Sequence, residues 1–147
     1  MKRSKQSQDL AKGVVELVRT FGLHRPEETP CGQPIPVGEA HALMDLAEHG
    51  PMNHGQLAAR LKLKKSTVSR LVGQLERRGW IARDNSNQDN RVILIRLTGK
   101  GAGAAKRLSG ARRSKFDRLL ASIPKSQRRN VIATLTTLAR ALEKHNN

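Results

Sequence analysis

A helical pattern that runs directly into a hairpin pattern, between residues 64 and 97, constrains this 147-residue chain more than any other feature. The helical part has four apolar residues spaced i, i+3, i+4 and i+7, as on one buried face of an α-helix. These residues are Val68, Leu71, Val72 and Leu75. At about 100° per residue, the opposite face carries hydroxyl, amide and cationic side chains and no large apolar one. The pattern predicts a helix over about residues 65 to 78 that packs on one side and presents a polar, basic surface on the other.

The hairpin pattern begins where the helical pattern ends. Gly79 is placed to end the helix in the left-handed conformation, and an extended run starts at Trp80. Residues 84–90 are dense in Asp, Asn and Ser, which form turns, and residues 91–97 are rich in the β-branched residues typical of strands. A helix followed by a hairpin with a polar tip is the winged helix-turn-helix arrangement. In that arrangement the helix enters the major groove, and the wing lies along phosphates or in the minor groove.

The order and spacing of these residues resemble the MarR family of winged helix-turn-helix regulators over about residues 37 to 101. The matching residues are Leu57, Ala58, Leu61, Ser66–Leu71, Leu75–Ile81, Arg83, Asp89–Arg91 and Leu97–Gly101. The resemblance implies a mainly α fold with a small β-hairpin wing (α+β), assembled as an intertwined homodimer that reads an inverted repeat. Lys64 departs from the family pattern, which commonly has a Ser or similar capping residue there, so we expect the recognition helix to begin without a side-chain N-cap.

Residue types on the outer helix face and in the hairpin predict the groups that contact DNA. Arg pairs well with a guanine edge, and Ser, Thr and Gln reach bases or phosphates. The predicted major-groove residues are Ser66, Thr67, Ser69, Arg70 and Gln74, the predicted phosphate contacts are Lys64, Lys65 and Arg77, and the predicted wing residues are Arg83, Asp89 and Arg91. Because phosphate repels a carboxylate, we expect Asp89 to act through hydrogen bonds that orient Arg91.

Apolar stripes outside the winged segment predict the oligomeric state. The stripes are Leu10, Val14, Leu17, Val18 and Phe21; Phe116, Leu119, Leu120 and Ile123; and Val131, Ile132, Leu135, Leu138, Ala139 and Leu142. Exposing them would leave patches that soluble monomers avoid. We therefore expect an N-terminal dimerisation helix and Pro-rich loop in residues 1–36, a DNA-binding lobe in 37–98 and C-terminal dimerisation helices in 99–147, in one structural domain. A three-helix bundle within one chain is the alternative.

Local signals also predict where the remaining helices lie. Periodicity and breakers place helices over about residues 5–23, 37–49, 55–61, 99–122 and 124–144. Thr98 is placed to cap the long helix after the hairpin. The small residues Gly99, Gly101 and Gly103 lack the spacing of a phosphate loop, so we expect them to let this helix start close to the wing or to a neighbouring helix.

Charge and missing motifs narrow the function class. The chain has 28 Lys and Arg against 12 Asp and Glu, a net charge of +16, which points to an extended polyanion such as DNA as partner. No run of about 18 apolar residues predicts a membrane span, and no signal peptide is recognisable, so we expect a cytoplasmic protein. No pattern of catalytic residues is present, so we predict neither an enzyme nor a cofactor. A nucleoid-type protein that coats DNA with little sequence preference is the alternative to a regulator.

Three kinds of regulatory signal are open. Cys31 lies in a Pro-rich loop, where an exposed thiol could be oxidised. Cys31, Glu39 and His41 resemble part of the site in zinc-sensing relatives, although the helix after the wing lacks the two His residues that complete it. The resemblance also implies a small anionic or phenolic effector that releases a repressor from DNA by changing the spacing of its recognition helices. A regulator without an effector remains the fourth possibility.

Overall fold

The computed structural model describes residues 4–85 and 91–146, and those ranges form the predicted mainly α architecture with one β-hairpin. In chain order the elements are α1 (Lys5–Phe21), α2 (Val37–His49), α3 (His54–Leu61), α4 (Lys65–Arg77), β1 (Ile81–Asn85), β2 (Ile93–Leu97), α5 (Gly99–Ser122) and α6 (Lys125–Asn146). The chain separates into two compact units, Met1–Ala111 and Arg112–Asn147, with the boundary inside α5. The predicted division into dimerisation and DNA-binding parts depends on what each part binds, so it stays a prediction.

Capping residues set the ends of α1 and α3. The α1 helix stops at Phe21, two residues earlier than predicted, because Gly22 adopts a left-handed conformation with φ of 89°. The α3 helix starts at His54, one residue earlier than predicted, because Asn53 and Gln56 form a reciprocal capping box. In it, the Gln56 N–H donates to Asn53 Oδ1 over 2.8 Å, and the Asn53 N–H donates to Gln56 Oε1 over 2.9 Å.

The two helices that flank the hairpin begin as the sequence predicts. Lys64 precedes α4 and makes no side-chain capping hydrogen bond. Gly79 follows the end of α4 with φ of 75°, the left-handed conformation expected there. Thr98 caps α5, since its Oγ1 accepts a hydrogen bond from the Gly101 N–H over 3.0 Å. The hairpin is therefore bounded by a glycine stop on one side and a threonine cap on the other.

The apolar core of the first unit lies between α2, α3, α4 and the hairpin. On α4, Val68, Val72 and Leu75 are fully buried, which confirms three of the four predicted positions. The fourth, Leu71, is half-buried and packs against Gly38 of α2. A Cβ added to Gly38 would lie 3.3 Å from Cδ1 of Leu71. Full burial of such a side chain stabilises the fold by about 1.5–3 kcal/mol. This packing fixes α4 by its apolar face and leaves the opposite face at the surface.

The hairpin is anchored on both edges of its second strand. β1 and β2 pair antiparallel, with Ile81 opposite Leu97 at the base and Asn85 opposite Ile93 near the tip. On the other edge of β2, Met52 from the α2–α3 connection exchanges two backbone hydrogen bonds with the buried Ile95, of 3.1 and 2.8 Å. The second strand begins at Ile93, two residues later than predicted.

The apolar stripes predicted outside the winged segment are largely exposed in the single chain. In the first unit, α1 has no buried residue, and Leu10 and Leu17 are 57% and 52% exposed. In the second unit, α6 has no buried residue, and Ile132 and Leu142 are 59% and 51% exposed. Each unit thus carries an apolar helix face that it does not cover with its own described residues.

Within residues 4–85 and 91–146, no helix combines the length and the apolar character needed to cross a lipid bilayer.

Candidate nucleic-acid interface

A tight turn between α3 and α4 builds the helix-turn-helix. Lys62 takes the left-handed conformation, with φ of 55°, which is uncommon for a residue with a side chain. Its N–H donates to the carbonyl of Ala59 over 3.3 Å, and the Leu63 N–H donates to that of Ala58 over 3.1 Å, so these two carbonyls in the last turn of α3 are satisfied. The turn occupies residues 62–64, and α4 starts at once after it.

The face of α4 opposite the core presents the predicted DNA-contacting residues to solvent. Six of the predicted residues in and next to α4 are exposed: Lys64, Lys65, Ser66, Ser69, Arg70 and Arg77. Thr67 and Gln74 are half-buried, since they lie at the border with the packed face. Neither Arg70 nor Arg77 forms an ion pair with another described residue, and both are therefore available to phosphates or base edges.

The predicted wing residue Arg83 is already engaged by α4. Its Nε lies 2.6 Å from Oε2 of Glu76, so this ion pair ties the base of the hairpin to the last turn of α4. Both side chains are more than a third exposed, and such surface pairs stabilise a fold by less than about 1 kcal/mol. The pair fixes the direction of Arg83 more than it adds stability. Sequence reasoning assigned Arg83 to DNA and missed Glu76 as its partner.

His54 lies at the start of α3, close to the same ion pair. Its partial burial, followed by the positive charge of Arg83, lowers its pKa from the usual value of 6.5. His54 is therefore neutral at physiological pH and adds no charge to this surface.

The predicted tip residues divide between described and undescribed positions. Arg91 is exposed at the start of the returning chain. Asp89 lies outside the described residues, so its predicted hydrogen bond to Arg91 stays a prediction. Closer to the base of the hairpin, Arg96 of β2 forms an ion pair with Asp84 of β1.

A clasp at the base of the hairpin joins the end of α4 to the start of α5. The Thr98 N–H donates to the Trp80 carbonyl over 3.0 Å, and its Oγ1 donates to the Gly79 carbonyl over 2.7 Å. Gly101 approaches so closely that a Cβ there would lie 1.8 Å from the Trp80 carbonyl oxygen. The prediction that small residues let this helix start close to the wing is confirmed, and glycine is required at residue 101.

Behind α4, a buried carboxylate anchors the residue that precedes this clasp. Glu39 of α2 is 1% exposed, and its Oε1 accepts a hydrogen bond from Nε of Arg78 over 3.0 Å. The Arg78 guanidinium in turn lies 5.2 Å from the centre of the Trp80 ring. The sequence held a signal for the burial of Glu39, although not for its partner, because Glu39 falls on the apolar face of α2 four residues before the fully buried Leu43.

The zinc-site candidates Cys31, Glu39 and His41 are not brought together. Glu39 is taken up by Arg78, and Cys31 is a half-buried free thiol. Within the described residues these three side chains do not form a group whose ligand atoms lie within 4.8 Å of one another, so the candidate stays a prediction without support from the structure.

A different group of metal-type donors gathers within the described ranges: Asp45, Glu48 and His49, with all their donor atoms within 4.8 Å of one another. Arg60 already contacts two of them, at 3.3 Å from Asp45 Oδ2 and 2.5 Å from His49 Nε2. A guanidinium at that position opposes a second cation, so we assign no metal there.

A cavity of about 280 Å³ lies in the first unit, beside the clasp. Its lining includes Gln33, Ile35, Arg78, Trp80, Arg107 and Leu108. The indole Nε1 of Trp80 is buried and has no hydrogen-bond partner, and Arg107 forms no ion pair with another described residue. The cavity therefore combines apolar walls with one cation, Arg107, that no described carboxylate compensates.

A model of the MarR family matches residues 35–93, from just before α2 to the start of β2. The HTH-type transcriptional repressor MdtR of Bacillus subtilis is 27% identical over 117 residues, which cover 78% of this chain and 76% of MdtR. FabT of Streptococcus pneumoniae, solved in complex with DNA, has a TM-score of 0.75 at 20% identity and matches over 95% of this chain and 97% of FabT.

A further solved structure that this chain resembles is BpsR of Bordetella bronchiseptica, whose DNA binding is regulated by 6-hydroxynicotinic acid. It has a TM-score of 0.72 at 16% identity, with 95% of this chain and 96% of BpsR covered.

Proposed function

We infer from the match of the MarR family model to residues 35–93 that this chain is a DNA-binding transcriptional regulator of that family, and we propose that it is a repressor that binds an inverted repeat in duplex DNA as a homodimer. The observation that carries the proposal is the exposed polar and cationic face of α4, held against the core beside the hairpin. Its similarity to the repressor MdtR supports repression. As a repressor of chromosomal genes, it would act in the cytoplasm.

In the proposed complex, α4 enters the major groove. Arg70, at the centre of the exposed face, is the residue we assign to a guanine edge, because a guanidinium pairs with guanine O6 and N7. The hydroxyl and amide side chains around it reach neighbouring bases or phosphates. Those side chains are Ser66, Thr67, Ser69 and Gln74. Lys64, Lys65 and Arg77 contact the backbone, and Arg91 carries the wing contact.

A second copy of the chain covers the apolar helix faces in this proposal. The exposed stripes of α1 and α6, with the last part of α5, supply the dimer contacts, so that residues 1–36 and 99–147 serve dimerisation and residues 37–98 bind DNA. A two-fold axis then places two α4 helices in successive major grooves, about one helical turn apart.

Selection of bound fragments from random duplexes tests the operator prediction, with light scattering on the same preparation to measure the oligomeric state. We expect a dimer and a palindromic consensus whose half-sites lie about 10 base pairs apart. A stable monomer at micromolar concentration contradicts the dimer. Fragments without a consensus contradict the repressor and favour a nucleoid-type coating protein.

We further propose that a small anionic, apolar ligand releases the repressor by binding in the cavity beside the clasp. Arg107 supplies a cation, and Ile35, Trp80 and Leu108 supply apolar walls. The cavity lies at the end of α4, so an occupant bears on the position of that helix. The regulation of BpsR by 6-hydroxynicotinic acid supports an effector of this class.

Benzoate is a suitable probe because it is a small, apolar anion. Its binding can be followed by fluorescence, because Trp80 lines the cavity and is the only tryptophan of the chain. We expect benzoate to change this fluorescence in a saturable way, benzamide to do so far more weakly, and Arg107→Gln to abolish the difference. Equal responses to the charged and the neutral probe contradict the site. Operator release at saturating benzoate, measured separately, tests whether binding is coupled to regulation.

A further inference from the structure

The excess positive charge of this chain is concentrated outside the winged segment. Residues 37–98 contain ten Lys and Arg against six Asp and Glu, whereas residues 99–147 contain twelve against two. The last third of the chain thus contributes +10 of the net +16. The composition that indicates a polyanionic partner is for the most part a property of the C-terminal helices.

Ion pairs increase the difference in charge between the winged segment and the C-terminal helices. In the winged segment, four carboxylates each pair with an arginine; the pairs are Glu39–Arg78, Asp45–Arg60, Glu76–Arg83 and Asp84–Arg96. The second unit, Arg112–Asn147, has nine Lys and Arg and only two carboxylates, Asp117 and Glu143. Two carboxylates cannot neutralise nine cations, so the second unit keeps a strong positive potential.

On α6 this charge follows one line. Lys125, Arg129, Arg140 and Lys144 project within an arc of about 100° at the helical repeat, and all four are exposed. The line spans 20 residues, or about 29 Å at 1.5 Å per residue. We call these four residues the α6 basic stripe. Glu143 is the acidic residue within the same arc.

The α6 basic stripe faces away from the apolar face of the same helix. Most of that apolar face consists of Val131, Leu135, Leu138 and Leu142, whose centre lies more than a quarter turn from every residue of the stripe. The exposed Ile132 lies at the border, about 20° from Lys125 at 100° per residue. A second copy of the chain that covers the apolar face therefore leaves Arg129, Arg140 and Lys144 of the stripe open. The same helix then has one face for dimerisation and one for a separate partner.

We propose that the α6 basic stripe is a second, sequence-independent surface for the phosphates of duplex DNA. Duplex DNA presents about one negative charge per 1.7 Å of its axis, so a straight row of cations about 29 Å long meets a continuous line of phosphates. Single-stranded nucleic acid is a poorer match, because its binding sites use aromatic stacking and the only aromatic residue of the second unit, Phe116, lies on α5. A lipid surface would need the apolar face of α6 as well.

The proposal goes beyond operator recognition and stands whether or not the chain prefers one sequence. In physical terms, operator contacts through α4 supply specificity, and the stripe adds salt-sensitive affinity for any duplex. The two contributions are separable, because one depends on sequence and the other only on charge.

The test compares two triple variants with equal charge changes in the full-length protein. The stripe variant is Arg129→Gln, Arg140→Gln and Lys144→Gln. The matched control on α1 is Lys5→Gln, Lys12→Gln and Arg19→Gln, where Asp9 and Glu16 already offset the cations. Gln keeps helix propensity close to that of Lys and Arg, and circular dichroism checks that both variants keep their helix content. Both are also combined with Arg70→Ala, which removes the central α4 contact.

We measure affinity for a 30-base-pair duplex without an operator, as a function of salt. Each lost phosphate contact lowers the slope of log K against log salt by about 0.9, so losing two or three contacts per chain weakens binding about tenfold or more at moderate salt. We expect this for the stripe variant and less than a twofold change for the control, with and without Arg70→Ala. Equal losses in the two variants overturn the proposal. So does a stripe variant that binds duplex normally but loses binding to phosphatidylglycerol vesicles or to single-stranded RNA.

Discussion

Replacing Gly101 by alanine tests the close approach of α5 to the end of α4. The added Cβ would lie 1.8 Å from the Trp80 carbonyl oxygen, where real Cβ contacts are at least about 3.0 Å, so one of the two backbones must move by more than about 1 Å. Neither is free to move, because Thr98 is held by three hydrogen bonds of 2.7 to 3.0 Å, to Gly79, Trp80 and Gly101.

The cost can be worked from those contacts. Losing three hydrogen bonds at about 1 kcal/mol each costs about 3 kcal/mol, and the higher helix propensity of alanine returns up to about 1 kcal/mol. We therefore expect Gly101→Ala to lower the free energy of unfolding by about 2–3 kcal/mol. For a chain of this size that corresponds to a fall in Tm of about 5–10 °C.

Urea unfolding followed by circular dichroism, at one protein concentration because a dimer shifts with concentration, measures the change. Gly103→Ala is the matched control on the same helix, where an added Cβ meets only the flexible end of Arg107 at 3.7 Å. The control should keep or gain stability. If Gly101→Ala is as stable as Gly103→Ala, the clasp does not hold the start of α5 against the Trp80 carbonyl.

Three further predictions concern the interface and its supports. Arg70→Ala and Arg91→Ala should each weaken operator binding by about 1–3 kcal/mol in gel-shift titrations without lowering Tm, and unchanged affinity in both would contradict the assigned contacts. Glu39→Ala should lower the unfolding free energy by about 2 kcal/mol, because it leaves the Arg78 guanidinium without its buried partner, whereas a neutral result would show that solvent replaces the carboxylate. The pKa of His54 is lower in the folded chain than in the unfolded one, so the stability contribution of neutral His54 is present above pH 6.5 and is lost as the pH falls below that value. His54→Gln should flatten the pH–stability curve below pH 6.5. A curve that the substitution leaves unchanged would contradict this role of His54.

The parts of this fold that sequence predicts are those set by neighbours along the chain. The buried face of α4 follows from spacing within eight residues, and the capping of α5 by Thr98 depends on a residue three positions away. The left-handed Gly79 likewise needs only the helix that it ends.

Contacts between distant positions were not predictable in the same way. Glu39 meets Arg78 across 39 residues, and Met52 pairs with Ile95 across 43, so neither partner follows from local periodicity. The ion pair between Arg83 and Glu76 shows the same limit for the interface, because the pattern of the wing does not give the neighbour of Arg83. The predicted phosphate contact of Arg83 stays a prediction, since a surface ion pair of this kind is weak. Local pattern identifies which side chains are suited to DNA, and tertiary packing decides which groups lie beside them.

The backbone exchange between Met52 and Ile95 has a consequence for how such wings diversify. With one edge paired to β1 and the other bonded to the α2–α3 connection, β2 offers little free strand edge for misassembly, and the edge left on β1 is short and carries Arg83 and Asp84. Everything beyond Asn85 and Ile93 can then be exchanged, as in a chimera with a foreign loop, while the foundation of the hairpin keeps its alignment. Changes of sequence in the loop can therefore alter which DNA the wing contacts without lowering the stability of the DNA-binding lobe.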